Sequence, residues 1–469
     1  MRTSGVLFPV FSLPGKYGIG CFSKEAYAFV NFLKETEQTY WQILPLGPTG
    51  YGDSPYQSFS TFAGNPYFIS PEKLTEDGLL TEEECEAADP GSDELIDYGR
   101  LYATRLELLH KAFERSSHDR EPAFLSFCEE NSFWLEGYAD FMVKKEGREG
   151  AFYRFLQFEF LKQWKALKAY ANGQGIRIIG DIPIYVSEDS ADFTSHPELF
   201  QLDENGRLKS IAGVPPDGFS ADGQVWGNPL YDWEYHEKTG YDWWLKRIEK
   251  CMELYDVIRI DHFRGFDEYF AIPCGDKTAK NGHWEKGPGI RLFRAMERRF
   301  GKVPIIAEDL GYVTDGVRQL VRETGFPNMK VLEFAFDSRD SSGAMEYLPY
   351  RYDRNCVVYS GTHDNETLRG WIDSILPEER EKVERYLDVR TGDPLEIVDK
   401  LLILAHASVA DTCILPIQDY LGLDNRARIN HPSVLGGNWS WRLNKDALTG
   451  ELKAKIKNMT ILYGRGYYG

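Results

Sequence analysis

The chain is predicted to be an α/β protein: a (β/α)8 TIM barrel with helical and loop insertions and no separate C-terminal β domain. Three observations carry this. An amphipathic helix, a glycine stop and a short β-branched strand recur along most of the sequence. The strands are apolar on both faces, as in a parallel sheet covered by helices. Acidic residues stand at or near the C-terminal ends of several strands, where parallel barrels gather their active sites.

The elements follow in order. Ser23 is placed to cap KEAYAFVNFLKE, which leads into YWQILPLG. Residues 151–172 form an amphipathic pattern that stops near Gly173 and Gly175, and the strand IRIIGDIPIYV follows. GIRLFRAMERRF ends at Gly301 before VPIIAEDL, and TDGVRQLVRET ends at Gly325 before MKVLEFAF. A helix from Pro394 to about Ala410 leads into TCILPIQ. Seven strands result: 40–46, 177–186, 256–262, 303–309, 330–336, 356–362 and 412–418. The second strand of the eight has no secure place. The opening MRTSGVLFPVFSLPGKYG reads as an apolar patch broken by prolines, without a signal-peptide core.

An open doubly wound sheet is the alternative, but no phosphate loop follows a strand. The one GxGxxG match, Gly464–Gly469, has no helix after it. Residues 1–469 are read as a single barrel with two insertions. Residues 71–150 are acidic and helix-prone, an inserted helical subdomain. Residues 187–240 are rich in Gly, Pro and Asp and are read as an inserted substrate-binding loop region, since loops this long in a compact domain are usually functional.

Composition narrows the function. Hydrophobic residues at 42% and charged residues at 27% suit a soluble globular chain. The net charge of −19 argues against a nucleic-acid partner, which needs clustered Lys and Arg. A neutral polyol or sugar needs no steering field, and the 14% aromatic content offers faces that stack on sugar rings. No stretch reaches the ~18 apolar residues of a membrane span. Seven cysteines lie scattered without a CxxC pair, which points to reduced thiols and a cytoplasmic location.

The segment RIDHFRGF (259–266) sharpens the reading. In a strand, Val257, Arg259 and Asp261 share one face and Ile258, Ile260 and His262 the other. A buried strand with Arg beside Asp needs a reason. Asp181, Glu308 and Asp364 occupy similar places near other strand ends. Each alone could cap a turn; four on separate strands are less ordinary. Such a ring suits glycosidic cleavage by paired carboxyls or divalent metal binding, with His262 and His363 as further ligands. Arg259 would compete with a cation for Asp261, and it is expected to hold that carboxyl ionised. No metal and no cofactor are therefore expected. Trp41 reads as core; Tyr51, Tyr56 and Trp226, set among Gly and Pro, read as contact residues.

The chain resembles glycoside hydrolase family 77, the amylomaltases or 4-α-glucanotransferases of the α-amylase clan. The resemblance runs through LPGKYGIG, YWQILPLGPTGYGDSPYQSFSTFAGNPY, GDIPIYV, GVPPDGFSADGQVWGNPLY, RIDHFRGF, IIAEDLG, SGTHDNET and RINHPSVLGGNWSWR. Residues 71–150 carry little of it. It implies transfer of an α-1,4-glucan segment to the 4-hydroxyl of another glucan by double displacement. Asp261 then matches the nucleophile, Glu308 the acid/base and Asp364 the carboxylate that favours the transition state. Arg259 and His363 match a supporting pair, Asp181 a strand-three carboxylate, and Tyr56 an aromatic under the sugar being cleaved. Tyr51 matches an aromatic at a more distant glucan site, and Trp226 and Asn228 fall in a loop covering the cleft. Gly218 and Val434 depart from the family pattern and put one sugar contact each in doubt. The partners implied are maltooligosaccharides and other α-1,4-glucans, bound by a monomer or homodimer. An amylase-like hydrolase, a metal-dependent hydrolase and a non-catalytic glucan binder are the rival readings.

Overall fold

Eight short strands close on themselves, every neighbouring pair parallel. They are β1 (Thr3–Leu7), β2 (Tyr40–Gln42), β3 (Arg177–Ile182), β4 (Val257–Ile260), β5 (Ile305–Ala307), β6 (Asn328–Val331), β7 (Cys356–Tyr359) and β8 (Thr412–Pro416). β8 pairs back to β1 and completes the barrel. The computed structural model describes residues 2–50, 52–91, 94–216, 220–311, 313–339, 341–434 and 436–466.

The strand without a secure place is the first, not the second. Thr3–Leu7 is five residues long, carries a glycine in its centre and runs into Phe8-Pro9, so it offers little period-two signal. The glycine is needed. A Cβ at Gly5 would stand 2.6 Å from Tyr40 Cβ and 2.8 Å from Ile414 Cδ1, where β1 lies between its two neighbours. The other strands end earlier than their apolar runs suggest. LEFAF, for example, forms a 3-10 turn over Leu332–Phe336 rather than continuing β6.

The outer helices pack by ordinary amphipathic spacing. Lys24–Glu35 buries Ala26, Phe29, Val30, Phe32 and Leu33, and each fully buried Phe or Leu contributes about 1.5–3 kcal/mol. Ser23 precedes this helix but makes no cap bond; its hydroxyl donates to Glu25 Oε2 at 2.6 Å. The helix Asp315–Thr324 is capped by Thr314, whose hydroxyl accepts from Val317 N, and it ends at Gly325 with φ +69°. Trp41 is fully buried and its indole donates to Phe8 O at 2.8 Å.

Between β2 and β3, among the described residues, lie five α-helices, from Pro71–Glu76 to Ser132–Glu146, before the long helix Gly150–Gly173. Buried Arg105 anchors them: its guanidinium donates to the carbonyls of Tyr67, Ile69 and Tyr17 at 3.0, 3.2 and 2.7 Å. The stretch 187–240 contains strands that its Gly and Pro content conceals. Ser210–Val214 and Gln224–Pro229 join Glu268–Pro273 and His283–Lys286 in a four-stranded antiparallel sheet. Its strand Glu268–Pro273 begins seven residues after Asp261 in the chain, so the sheet is tied to the end of β4. Among the described residues no helix is long and apolar enough to cross a membrane.

Candidate active site

Register builds the site. β3 and β4 pair Asp181 opposite Arg259, so both side chains point into the barrel from adjacent strands. Arg259 Nη1 donates to both oxygens of Asp181 at 2.7 Å and to Asp261 Oδ1 at 3.1 Å. Asp181 is fully buried and Arg259 nearly so. Tyr56 donates its hydroxyl to Asp181 Oδ2 at 2.8 Å. A buried ion pair is tolerable only when its remaining lone pairs are satisfied, and Tyr56 supplies that bond. Asp181 and Arg259 therefore form the floor on which Asp261 stands.

Asp261 lies one residue past β4, and its N–H continues the ladder to Ile182 O at 2.9 Å. The strand alternation ends there. His262 adopts φ +52°, ψ +49°, a left-handed conformation uncommon for a non-glycine residue. That turn aims the His262 N–H at Glu308 Oε2, 2.6 Å away. Glu308 follows β5 directly, and its Oε1 accepts from Leu310 N at 2.7 Å. The carboxyl of Glu308 thus reaches the backbone of the residue next to Asp261.

The third carboxylate has different company. Asp364 follows β7; its Oδ2 lies 3.2 Å from His363 Nε2 and its Oδ1 accepts from Asn430 Nδ2 at 2.7 Å. Arg428 Nη2 donates to the Asp364 carbonyl at 2.8 Å. His363 is stacked on Tyr56, ring centroids 5.1 Å apart and planes 12° from parallel, and Trp439 closes on both rings.

The protonation states diverge accordingly. Burial, then the neighbouring Asp261 charge, pushes Glu308 up to about 8, although Arg259 and its two backbone donors oppose this. Asp261 was expected to be lowered by Arg259. Burial outweighs that pull and raises it to about 6, because Arg259 gives its two shortest contacts to Asp181. Desolvation would also raise Asp364, but the His363 charge and hydrogen bond hold it well below the usual carboxylate range. His363 is raised in turn: burial disfavours its charge and Asp364 outweighs burial.

The remaining expected residues divide. Trp226, on the strand Gln224–Pro229, meets the His262 ring edge-on at 4.8 Å. Asn228 is buried; its amide donates to Val186 O at 2.8 Å and accepts from Gln57 at 3.3 Å, so it ties the cover to the end of β3. Val434 is exposed. Tyr51 and Gly218 lie outside the described residues. Arg428, Asn430 and Trp439 join the site without having been singled out. All three sit in RINHPSVLGGNWSWR, where polar and aromatic residues among Gly and Pro were the available signal.

Known proteins resemble this chain over nearly its whole length. The family model for glycoside hydrolase family 77, described as 4-alpha-glucanotransferase, matches residues 8–151 and 143–449. A 4-alpha-glucanotransferase of Clostridium butyricum is 45% identical, the match covering 97% of this chain and 99% of that protein. One from Thermus thermophilus is also 45% identical, with 98% of each chain covered. The amylomaltase of Streptococcus agalactiae, solved in complex with acarbose, superposes with a TM-score of 0.94 at 41% identity, covering 99% of this chain and 100% of that one. The amylomaltase of Corynebacterium glutamicum shares the fold at 18% identity, TM-score 0.81, over 98% of this chain and 75% of that one. The chain belongs to glycoside hydrolase family 77, and its activity is that of a 4-α-glucanotransferase, EC 2.4.1.25.

Proposed function

We propose that the enzyme transfers segments of maltooligosaccharides and other α-1,4-glucans by a retaining double displacement through a glucosyl–Asp261 intermediate. Asp261 attacks the anomeric carbon, the C1–O4 bond breaks, and Glu308 gives its proton to the departing 4-oxygen. The 4-hydroxyl of an acceptor glucan then attacks C1. Glu308 takes back a proton as general base, and Asp261 leaves as a carboxylate. Asp364 stabilises the positive charge that develops on the sugar, and Tyr56 and Trp226 offer ring faces to sugar C–H groups.

The observation that carries this reading is the pairing of a raised Glu308 with an adjacent Asp261 on neighbouring strand ends. A retaining pair stands about 5–5.5 Å apart. The reach of Glu308 to the His262 N–H, at 2.6 Å, supports such closeness. Asp181, Arg259 and His363 act by positioning in this scheme, and no metal or cofactor takes part.

Maltotriose tests it. Each transfer breaks one α-1,4 bond and makes another, so glucose and maltopentaose should accumulate while total reducing ends stay nearly flat, with or without EDTA. A rise in reducing ends matching the bonds cleaved would make water the acceptor. Loss of activity in EDTA, restored by a divalent ion, would make the site metal-dependent.

A further inference from the structure

The turn that presents His363 and Asp364 is built over a carboxyl that the transfer scheme leaves unused. Glu333 follows β6 and is 5% exposed. Its backbone N–H donates to Ser360 O at 3.2 Å, the residue after β7. Its carboxyl lies against Gly361 so closely that a Cβ there would stand 2.8 Å from Glu333 Oε1. The Asn365 side chain lies near enough to favour the charge on it. The amide oxygen of Asn365 accepts from both Thr362 N and Thr362 Oγ1, at 2.9 and 2.8 Å. One side chain thus spans the turn from 362 to 365 and rests on Glu333, with His363 and Asp364 held between. On its other side the turn borders a narrow crevice lined in part by Thr362, His363 and Asn365.

We propose that Glu333 is a positioning residue for the transfer reaction, its carboxyl propping the Gly361–Asn365 turn so that His363 and Asp364 meet the sugar in register. The proposal rests on the role given above to Asp364. Glu333 acts without a charge. Burial drives its carboxyl well above the usual range, and the nearby Asp419 and Glu366 carboxylates add to this, against Arg428. Arg428 itself is directed to the Asn430 and Asp364 carbonyls, and Glu333 Oε1 has no hydrogen-bond partner among the described residues. An uncharged amide of the same shape should therefore replace it.

The test compares Glu333→Gln, Glu333→Met and Glu333→Ala on maltotriose, with Asp364→Asn assayed beside them. Glu333→Gln should keep kcat and KM within a few-fold of the parent. Glu333→Met keeps the volume and loses the polar carboxyl beside Gly361 and Asn365. Its kcat should fall by roughly 10²-fold, the scale of an ångström-level misplacement, with KM little changed. Glu333→Ala should fall at least as far; if it does not fold, Glu333→Met decides. A Glu333→Met enzyme as fast as the parent overturns the proposal, as does a Glu333→Gln enzyme as slow as Glu333→Met. If kcat returns on cooling in step with the recovered folded fraction, the role is merely structural and the proposal also fails. Those results leave the transfer scheme intact so long as Asp364→Asn is inactive. An active Asp364→Asn enzyme would instead remove the scheme itself.

Discussion

Two sides of the cleft hold carboxyls of the same kind in opposite states. On the β4–β5 side one guanidinium serves Asp181 and Asp261, and among the described residues Glu308 receives only backbone N–H groups. On the β7 side Asp364 has an imidazole and an amide to itself. Both sides disfavour charge through desolvation, so the charge of the partners decides the outcome. Glu308 rises to about 8, while Asp364 stays ionised far into acid. A proton donor is made here by withholding a cation. A permanent carboxylate is made by dedicating one.

The sharpest way to break this contrast is to remove the charge of Asp261. Asp261→Asn leaves Arg259 its two bonds to Asp181, so the fold should hold while transfer falls by about 10⁴-fold or more, the scale of losing a group that forms the covalent intermediate. Circular dichroism and the maltotriose ladder check both halves. Trapping a sugar on any other residue would reverse the assignment.

Glu308→Gln comes next. General acid catalysis is worth about 10²–10⁴-fold, so maltotriose turnover should drop by that range. With α-glucosyl fluoride, whose leaving group needs no proton, formation of the intermediate should be nearly normal. Equal loss on both donors would mean that Glu308 does not serve as the acid.

Much of this was legible in the residues themselves. Asp261, Glu308 and Asp364 declared themselves by following apolar strands, and Arg259 by alternation with Asp261. What failed to show was of two kinds. Thr3–Leu7 and the strands of the cover are too short and too interrupted by Gly and Pro for periodicity to mark them. Arg428, Asn430 and Trp439 reach the site from a segment after β8, and local pattern does not encode which distant loop meets β7. The expected lowering of Asp261 erred for a third reason: sequence adjacency placed Arg259 beside it, but only the register revealed that Asp181 has first claim on that charge.

The pH profile sharpens the same comparison by about tenfold per unit on each limb. Productive enzyme needs Asp261 ionised, which is gained as pH rises through about 6. It also needs Glu308 protonated, which is lost as pH rises through about 8. kcat/KM should therefore rise through the first value and fall through the second. With α-glucosyl fluoride, Glu308→Gln should keep the acid limb of intermediate formation and lose the alkaline one. Stability carries the same sign. Both groups are raised on folding, so both contribute stability at low pH that is lost as pH climbs through their folded values. Glu308→Gln should flatten the decline in Tm between pH 5 and 9. A Tm profile no flatter than the parent's would mean that Glu308 is not raised in the folded state.

The smallest effect concerns the cover. Asn228 falls in the loop read as substrate-binding, yet its amide is committed to Val186 O and Gln57, and the residue is 5% exposed. If these bonds define its role, Asn228→Ala should cost about 1 kcal/mol, the net worth of a hydrogen bond or so. That corresponds to a Tm lowered by about 2 °C in a chain of this size. KM for maltotriose should stay within about twofold, since less than ~0.4 kcal/mol of binding would be lost. Trp226, on the same strand and edge-on to His262, provides the contrast. Trp226→Ala should raise KM several-fold, because an aromatic face against a sugar is worth about 0.5–1.5 kcal/mol. A KM for Asn228→Ala raised as far as that of Trp226→Ala, with Tm unchanged, would mean that the amide turns to the sugar when the cleft is filled, and that the cover binds substrate through both residues.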